Sequence, residues 1–175
     1  MNQEEFKFYK PCKLLQPYVR YYWVFNSCQM MNTYTFPIGC PQIIFHKRTP
    51  LFIPELNTTQ NRLTISGQVN FSSHLKADDD VEMIVVVFYP HTMNMFLNTP
   101  TSIFYNKEVS GYDIEDKHLN ELAMQVFDCA DNNRCVTLIE EWLLSQLSTK
   151  PTDTVYRVNR MNAAIGKLLA APHTL

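Results

Sequence analysis

The strongest hydrophobic pattern in the chain runs from Val81 to Phe88, where apolar residues occupy both sets of alternating positions. A strand that is apolar on both faces is typical of the middle of a sheet that is covered from both sides. Pro90 ends this strand, because proline has no N–H for the ladder and restrains the residue before it. The pattern therefore predicts a central buried strand, a short helical turn after it, and extended structure again over residues 101–109.

Shorter patterns predict further strands on the N-terminal side of this centre. Residues 18–25 are dominated by aromatic and β-branched side chains, and residues 42–46 form an apolar run. Both compositions favour strands. Residues 63–69 predict a strand interrupted at Gly67, either by a bulge or by a close approach of another backbone.

A strand over residues 71–76 is expected to pair with the Val81 strand in a hairpin. The connection between them is Ala77 followed by three aspartates, at positions 78–80. These carboxylates lack the alternate-position spacing of a calcium loop, so they predict a solvated hairpin tip rather than a metal site.

After Gly111 the hydrophobic period changes from two to that of a helix. Asp116 is placed to cap a helix over residues 117–130, a second helix is predicted over 134–147, and a third over 153–171. Strands followed by helices predict an α+β fold.

Composition excludes several classes of protein. A formal net charge of −2 over 175 residues does not suit nucleic-acid binding, and only four glycines argue against a glycine-rich phosphate loop. The five cysteines form no C-x-x-C pair, which is typical of apolar packing residues in a reducing compartment. The polar N-terminus is no signal peptide, and no apolar run is long enough to cross a membrane. We therefore expect a cytoplasmic protein with no membrane partner.

Catalytic and metal-binding motifs are missing from the sequence. The histidines His46, His74 and His91 stand apart, without the H-x-H spacing of metal-binding cupins. No nucleophile elbow, phosphate loop or H-E-x-x-H motif occurs. The sequence thus predicts a protein that is not an enzyme and holds no cofactor and no metal.

Several segments together resemble the N-terminal sensing domains of AraC-type bacterial transcription regulators. The opening PCKLLQPYVRYYW approximates a P-x-x-L-x-x-x-V-x-x-Y-W pattern, and FYPHTMNMFLNTP matches a strand that ends in F-x-P before a helical turn. FPIGCP, ISGQ and the two-helix tail extend the likeness from Pro11 to Leu147. One departure is Thr92, where such domains are expected to carry a small residue.

The resemblance implies a fold, a function and partners. The fold would be a cupin-like β-barrel followed by two or three helices. Residues 1–149 would form the sensing domain, and residues 150–175 a linker and the first helix of a helix-turn-helix DNA-binding domain. The expected function is to bind a small-molecule effector and to form a homodimer, with DNA bound only through the part of that domain beyond Leu175. The alternatives are a free-standing cupin-like protein that binds a small molecule, and an enzyme that uses the barrel cavity.

The aromatic strands predict a small-molecule cavity inside the barrel. An apolar pocket with one or two polar groups is the usual form of such a site. The alternative is that the rings simply fill a narrow barrel. The candidate ligand-binding residues are Tyr22, Trp23, Phe36, Phe45, His46 and Phe88.

The helix predicted over residues 134–147 has two adjoining apolar stripes, whereas docking on one core surface needs a single stripe. The second stripe needs a cover: the preceding helix, the third helix or another copy of the chain. Helices in this region pair the related regulators, and closed two-fold pairing is the commonest oligomer. The predicted dimer residues are Val136, Ile139, Leu143 and Leu147.

Overall fold

A computed structural model describes residues 4–170 and shows an α+β fold, as predicted: two antiparallel sheets followed by three helices. The strands are β1 Glu4–Tyr9, β2 Val19–Ser27, β3 Met31–Thr35, β4 Gln42–His46, β5 Phe52–Ile53, β6 Thr58–Thr59, β7 Leu63–Ser66, β8 Ser73–Ala77, β9 Val81–Phe88 and β10 Glu108–Ser110. The helices are α1 Lys117–Asp128, α2 Asn132–Ser148 and α3 Thr152–Ala170.

The larger sheet has the strand order β1-β2-β9-β4-β7-β10, which places β9 between β2 and β4. The prediction of a central strand covered on both faces is confirmed. Met83 and Val85 contribute to one apolar cluster, whereas Ile84 and Val86 contribute to another on the opposite face. This sheet therefore separates a helix-covered core from a second interior space.

The smaller sheet has the order β3-β8-β5-β6 and faces that second space. The predicted hairpin between β8 and β9 is wrong, because β8 pairs with β3 and β5 instead. The acidic run 78–80 is the point where the chain passes from one sheet to the other. The two strands are adjacent in sequence, but both hydrogen-bonding edges of β9 are already paired, one with β2 and the other with β4.

Gly67 ends β7 at a close approach of two backbones, which is one of the two alternatives that the sequence left open. A Cβ at this position would lie 1.7 Å from the carbonyl oxygen of Phe104. Phe104 belongs to a turn of 3-10 helix over Thr101–Phe104, so the predicted extended segment 101–109 is helical at its start and becomes strand only at β10.

Thr92, the departure from the resembled pattern, is fully buried and ties the helical turn to the residue just before β2. Its hydroxyl donates to the backbone carbonyl of Tyr18 at 2.5 Å. The following Met93, Phe96 and Leu97 are buried in the core, as the spacing predicted.

Helices α1 and α2 cover the face of the larger sheet that is turned away from the smaller one. Asp116 caps α1 by accepting from the backbone N–H of Leu119 at 3.0 Å, as predicted. Asp131 caps α2 in the same way from Asn133, which explains why this helix begins two residues before the predicted start.

The wide apolar arc of α2 is covered inside the chain. Ile139 and Leu143 are 0% exposed, Val136 is buried, and Leu147 is partly buried against the same core. The burial of Val136, Ile139 and Leu143 counts against their use as a dimer surface, whereas Leu147 is still partly exposed. The preceding helix and the sheet supply the cover. Dimerisation itself stays a prediction.

Helix α3 touches the body of the protein near the N-terminal end of β2. Val158 is buried in the sheet–helix core. Asn162 donates to the carbonyl of Pro17 at 2.7 Å and contacts His91 Nε2 at 2.6 Å. The predicted final residue of this helix, 171, lies outside the described residues.

Candidate functional site

A cavity of about 290 Å³ lies between the two sheets. Its floor is the face of the larger sheet that carries Trp23, Ile44 and Val85, and its roof includes Leu75 of the smaller sheet. The volume is close to the lower end of the range for small-molecule sites. The space between the two sheets is therefore large enough for a compact molecule.

The strand register arranges the floor in rows that run across the sheet. Each residue of a row lies directly beside the next on the neighbouring strand. One row reads Phe8, Trp23, Val85, Ile44, Thr64 and Ser110, and the next reads Tyr21, Val87, Gln42, Ser66 and Glu108. Both rows are aromatic at the β1–β2 end, apolar in the middle and polar at the β7–β10 end.

The polar end of the cavity is built around the carboxylate of Glu108. Gln60 donates from Nε2 to Glu108 Oε2 at 2.9 Å, and Ser66 donates from Oγ to Glu108 Oε1 at 2.8 Å. All three residues line the cavity. Because each carboxylate oxygen is held by one neutral donor, the orientation of the carboxylate is fixed before any ligand arrives.

Burial is the dominant influence on this carboxyl group. It raises the pKa of Glu108 from 4.5 to about 7, because the charged form is poorly solvated inside the protein. The hydrogen bonds from Gln60 and Ser66 oppose the rise, since they favour the charged form. Glu108 therefore changes its charge near neutral pH.

His46 lies behind Gln60 and completes a chain of polar contacts. Its Nε2 is 2.8 Å from Gln60 Oε1, which can only accept, so Nε2 carries the proton. Burial lowers the pKa of His46 from 6.5 to about 4, with the Gln60 contact acting in the opposite direction. His46 is thus neutral at physiological pH, and it orients Gln60 so that the amide N–H groups face Glu108.

Exposed apolar side chains surround the mouth of the cavity. Phe36 is 70% exposed and Phe8 is 65% exposed, although both contribute to the lining. Between Phe36 and the buried Cys40 the chain turns at Gly39, whose φ of 66° lies in the left-handed region that favours glycine. The mouth is therefore formed by a short loop and the edge strand β1.

The predicted ligand-binding residues divide between the two faces of the larger sheet. Trp23 and Phe36 line the cavity. Tyr22, Phe45 and Phe88 do not line it, because they are fully buried in the sheet–helix core on the other face. The physical reason is strand alternation, because Tyr22 and Trp23 are adjacent on β2 and point to opposite faces.

His46, the remaining predicted residue, lies in a cavity-facing register position but does not line the cavity, since Gln60 stands between them. Sequence reasoning missed Glu108, Gln60 and Ser66 entirely. A glutamate preceding the apolar Val109 was a weak signal for an inward-facing charge, and nothing in the sequence indicated that Gln60 would reach it.

The described part of the chain holds neither a cluster of metal ligands nor a helix suited to a membrane. Within residues 4–170, no three His, Cys, Asp or Glu side chains are grouped so that they could hold a metal ion. Over the same residues, no helix combines the length and apolar character that a membrane span requires.

Comparison with protein families shows where the chain belongs. A family described as a domain of unknown function, DUF6597, matches residues 7–110, which is more than half of the chain. The chain belongs to this family. The DUF6597 segment contains strands β2 to β10 and nearly all of the cavity lining, and it stops before α1. No curated protein and no solved structure matches the chain.

Proposed function

We propose that this DUF6597 protein binds a small molecule between its two sheets and acts as the sensing domain of an AraC-type transcription regulator. The observation that carries the proposal is the cavity itself, which combines an apolar floor with one fixed carboxylate at its end. A site with a few convergent polar groups on an apolar wall is the usual arrangement for small-molecule recognition.

The likeness to AraC-type sensing domains supports the regulatory part of the proposal. The segments that carry it include the first half of β2 and the F-x-P turn that follows β9, and the two helices follow the sheets in the expected order. In such a protein the DNA would be bound by helix-turn-helix units that follow this chain, since a recognition helix is required to read the major groove.

Ligand binding is tested with purified protein in a thermal-shift screen of metabolites, repeated on Phe36→Ala. A ligand that binds the folded state raises the melting temperature by mass action. We expect at least one hit whose effect is weaker in Phe36→Ala, because Phe36 lines the mouth of the cavity. A screen with no hit would count against the proposal, and hits unaffected by cavity substitutions would place the site elsewhere.

The alternative function is a free-standing small-molecule-binding protein with no DNA partner. The same cavity supports it equally. The coding sequence beyond Leu175 distinguishes the two: an in-frame continuation into two helix-turn-helix units favours the regulator, and a stop codon directly after Leu175 favours the free-standing protein.

A further inference from the structure

The charge inside the cavity is of one sign. Among the described lining residues, Glu108 supplies the one carboxylate, and none is Lys, Arg or His. Glu108 is half-buried, and a poorly solvated carboxylate without a partner of opposite charge is costly, a cost that a positively charged ligand would lower. A ligand that brings a negative charge would add to it.

The Glu108 carboxylate still has free hydrogen-bond acceptor positions that a ligand could use. Gln60 donates one amide N–H and Ser66 its O–H to the carboxylate, and the carbonyl oxygen of Gln60 accepts from His46. A carboxylate accepts about four hydrogen bonds, of which two are used here. The free positions select a ligand that donates.

The rest of the floor suits an apolar or aromatic body. Trp23 and Phe6 stack with ring centroids 5.8 Å apart, and Ile44 and Val85 continue the apolar surface toward Glu108. Adjacent strands are about 4.8 Å apart, and Ile44 and Val85 lie two and three strands away from Glu108, so the span to be covered is roughly 10–14 Å, part of which the Glu108 side chain itself crosses. An aryl group on a short alkyl chain has that length.

We infer that the cavity takes a small apolar or aromatic molecule carrying a protonated amine, with the ammonium group donating to Glu108 and the apolar body lying over Ile44 and Val85 toward Trp23. This inference rests on the proposed function, since it names the chemical class of ligand for the same cavity.

Arg20, a cation near the cavity, would favour an anionic ligand. An anionic ligand is therefore the competing hypothesis to test. The guanidinium of Arg20 lies 3.6 Å from Cys40 Sγ and 5.7 Å from the centroid of the Tyr21 ring, and both of these residues line the cavity. Arg20 is exposed and is not part of the lining. An anionic ligand would have to use this rim cation and leave Glu108 unpaired.

The test compares three probes of matched shape: 4-phenylbutylamine, 4-phenylbutanol and 4-phenylbutanoate. Calorimetry or ligand-observed NMR at about pH 8 gives each dissociation constant for the wild type, Glu108→Gln and the exposed control Glu121→Gln. We expect the amine to bind at least about tenfold more tightly than the alcohol, because a charged hydrogen bond replaces a neutral one. This advantage should vanish in Glu108→Gln and persist in Glu121→Gln.

A second measurement does not depend on the variant folding. With a Glu108 pKa of about 7, the ionised fraction grows about tenfold between pH 6 and 8, so the affinity of the wild type for the amine should rise by about that factor. The affinity for the alcohol should stay the same over this pH range. Tyr21 and Cys40 are the other titratable residues in the described lining, His46 stands behind Gln60, and Arg20 is at the rim. The pH profile of amine affinity is therefore repeated on Cys40→Ser and Tyr21→Phe. If Glu108 alone causes the pH dependence, both variants keep it.

The outcomes separate this inference from the proposed function. If the alcohol binds as well as the amine, or if the butanoate binds best and loses affinity in Arg20→Gln, the amine class is wrong while small-molecule binding stands. A flat pH profile for the amine also overturns the inference alone. If none of the three probes binds at millimolar concentration, the cavity does not take ligands of this size, and both the inference and the proposed function fail.

Discussion

His46 and Glu108, 62 positions apart in sequence, are joined through the two ends of the Gln60 carboxamide. The oxygen of Gln60 meets His46 at 2.8 Å and its nitrogen meets Glu108 at 2.9 Å. Burial shifts the pKa values of these two groups in opposite directions, to about 4 for His46 and about 7 for Glu108. Their effects on the pH dependence of stability therefore oppose each other.

The first prediction concerns stability and pH. The folded state holds a proton on Glu108 that the unfolded state releases between pH 4.5 and about 7, so this group lowers the free energy of unfolding as pH rises through that window. The unfolded state binds a proton on His46 between pH 6.5 and about 4, so this group lowers the free energy of unfolding as pH falls. We expect the wild type to change little between pH 4.5 and 6.5.

Glu108→Gln removes the contribution of Glu108 to the pH dependence of stability and leaves that of His46. Its stability relative to the wild type should rise between pH 5 and 8 by on the order of 2 kcal/mol, since one pKa unit corresponds to about 1.4 kcal/mol and solvent in the cavity reduces the effect. Urea unfolding at several pH values measures this difference. Glu121→Gln, which is exposed on α1, is the control, and a pH-independent difference for Glu108→Gln would contradict the assignment.

The second prediction separates the two faces of the larger sheet. Phe45→Ala should lower the free energy of unfolding by about 3–5 kcal/mol, because Phe45 is fully buried in the sheet–helix core. Phe36→Ala should change it by no more than about 0.5 kcal/mol, because that ring is mostly exposed at the cavity mouth. Chemical denaturation measures both values. Equal losses would show that the mouth is part of the folded core.

The third prediction tests the close approach at Gly67. Gly67→Ala places a Cβ against the backbone of Phe104, so one segment must move, and we expect a loss of at least about 2 kcal/mol. Gly166→Ala is the matched control, because nothing lies within 4 Å of a Cβ at that position on α3. There alanine should be neutral or stabilising by up to about 1 kcal/mol, from helix propensity. A tolerated Gly67→Ala would mean that the turn over Thr101–Phe104 moves freely.

The fourth prediction concerns α3, which the sequence assigned to a separate unit after residue 149. Its contacts with the body are few, chiefly Val158 and Asn162, and Met161, Ile165 and Leu168 are exposed. We expect backbone amides of α3 to exchange at least about tenfold faster than those of α2, because few buried contacts hold the helix. Hydrogen exchange measures this in a sample whose mass is known. Equal protection of both helices in a monomer would place α3 in the first domain.

The fifth prediction concerns oligomeric state. Leu143→Glu should unfold the chain rather than dissociate it, because Leu143 is fully buried by its own core. Dimerisation must therefore be tested on the wild type, by sedimentation over a range of concentrations. A dimer is expected from the resemblance to AraC-type regulators. A wild type that stays monomeric at the highest concentration would overturn that expectation.

Local patterns predicted much of the fold. The buried character of β9, the positions of β2 and β4 and the cap at Asp116 follow from rules that act over a few residues, namely side-chain alternation and the free N–H groups of a first helical turn. The partner of β8 depends on contacts between distant segments. The sequence therefore predicted the strand but not its neighbours.

The candidate site was harder to predict, for a geometric reason. Selecting large aromatic residues along β2 and β4 combined both faces of the sheet, so Tyr22 and Phe45 were grouped with Trp23 although the sheet lies between them. Parity along each strand assigns residues to opposite faces, but it does not say which face bears a cavity. Gln60 lies outside regular structure and has no period to follow.

The division of β2 between two environments has a mechanical consequence. Trp23 forms part of the cavity floor, and Tyr22, one peptide unit away, lies in the core that α2 covers. Because the two side chains share a rigid peptide plane, a rotation of the strand that reseats the indole also tilts the phenol against the helix layer. A movement of Trp23 in the cavity is therefore passed to the helix-covered core through a single peptide unit.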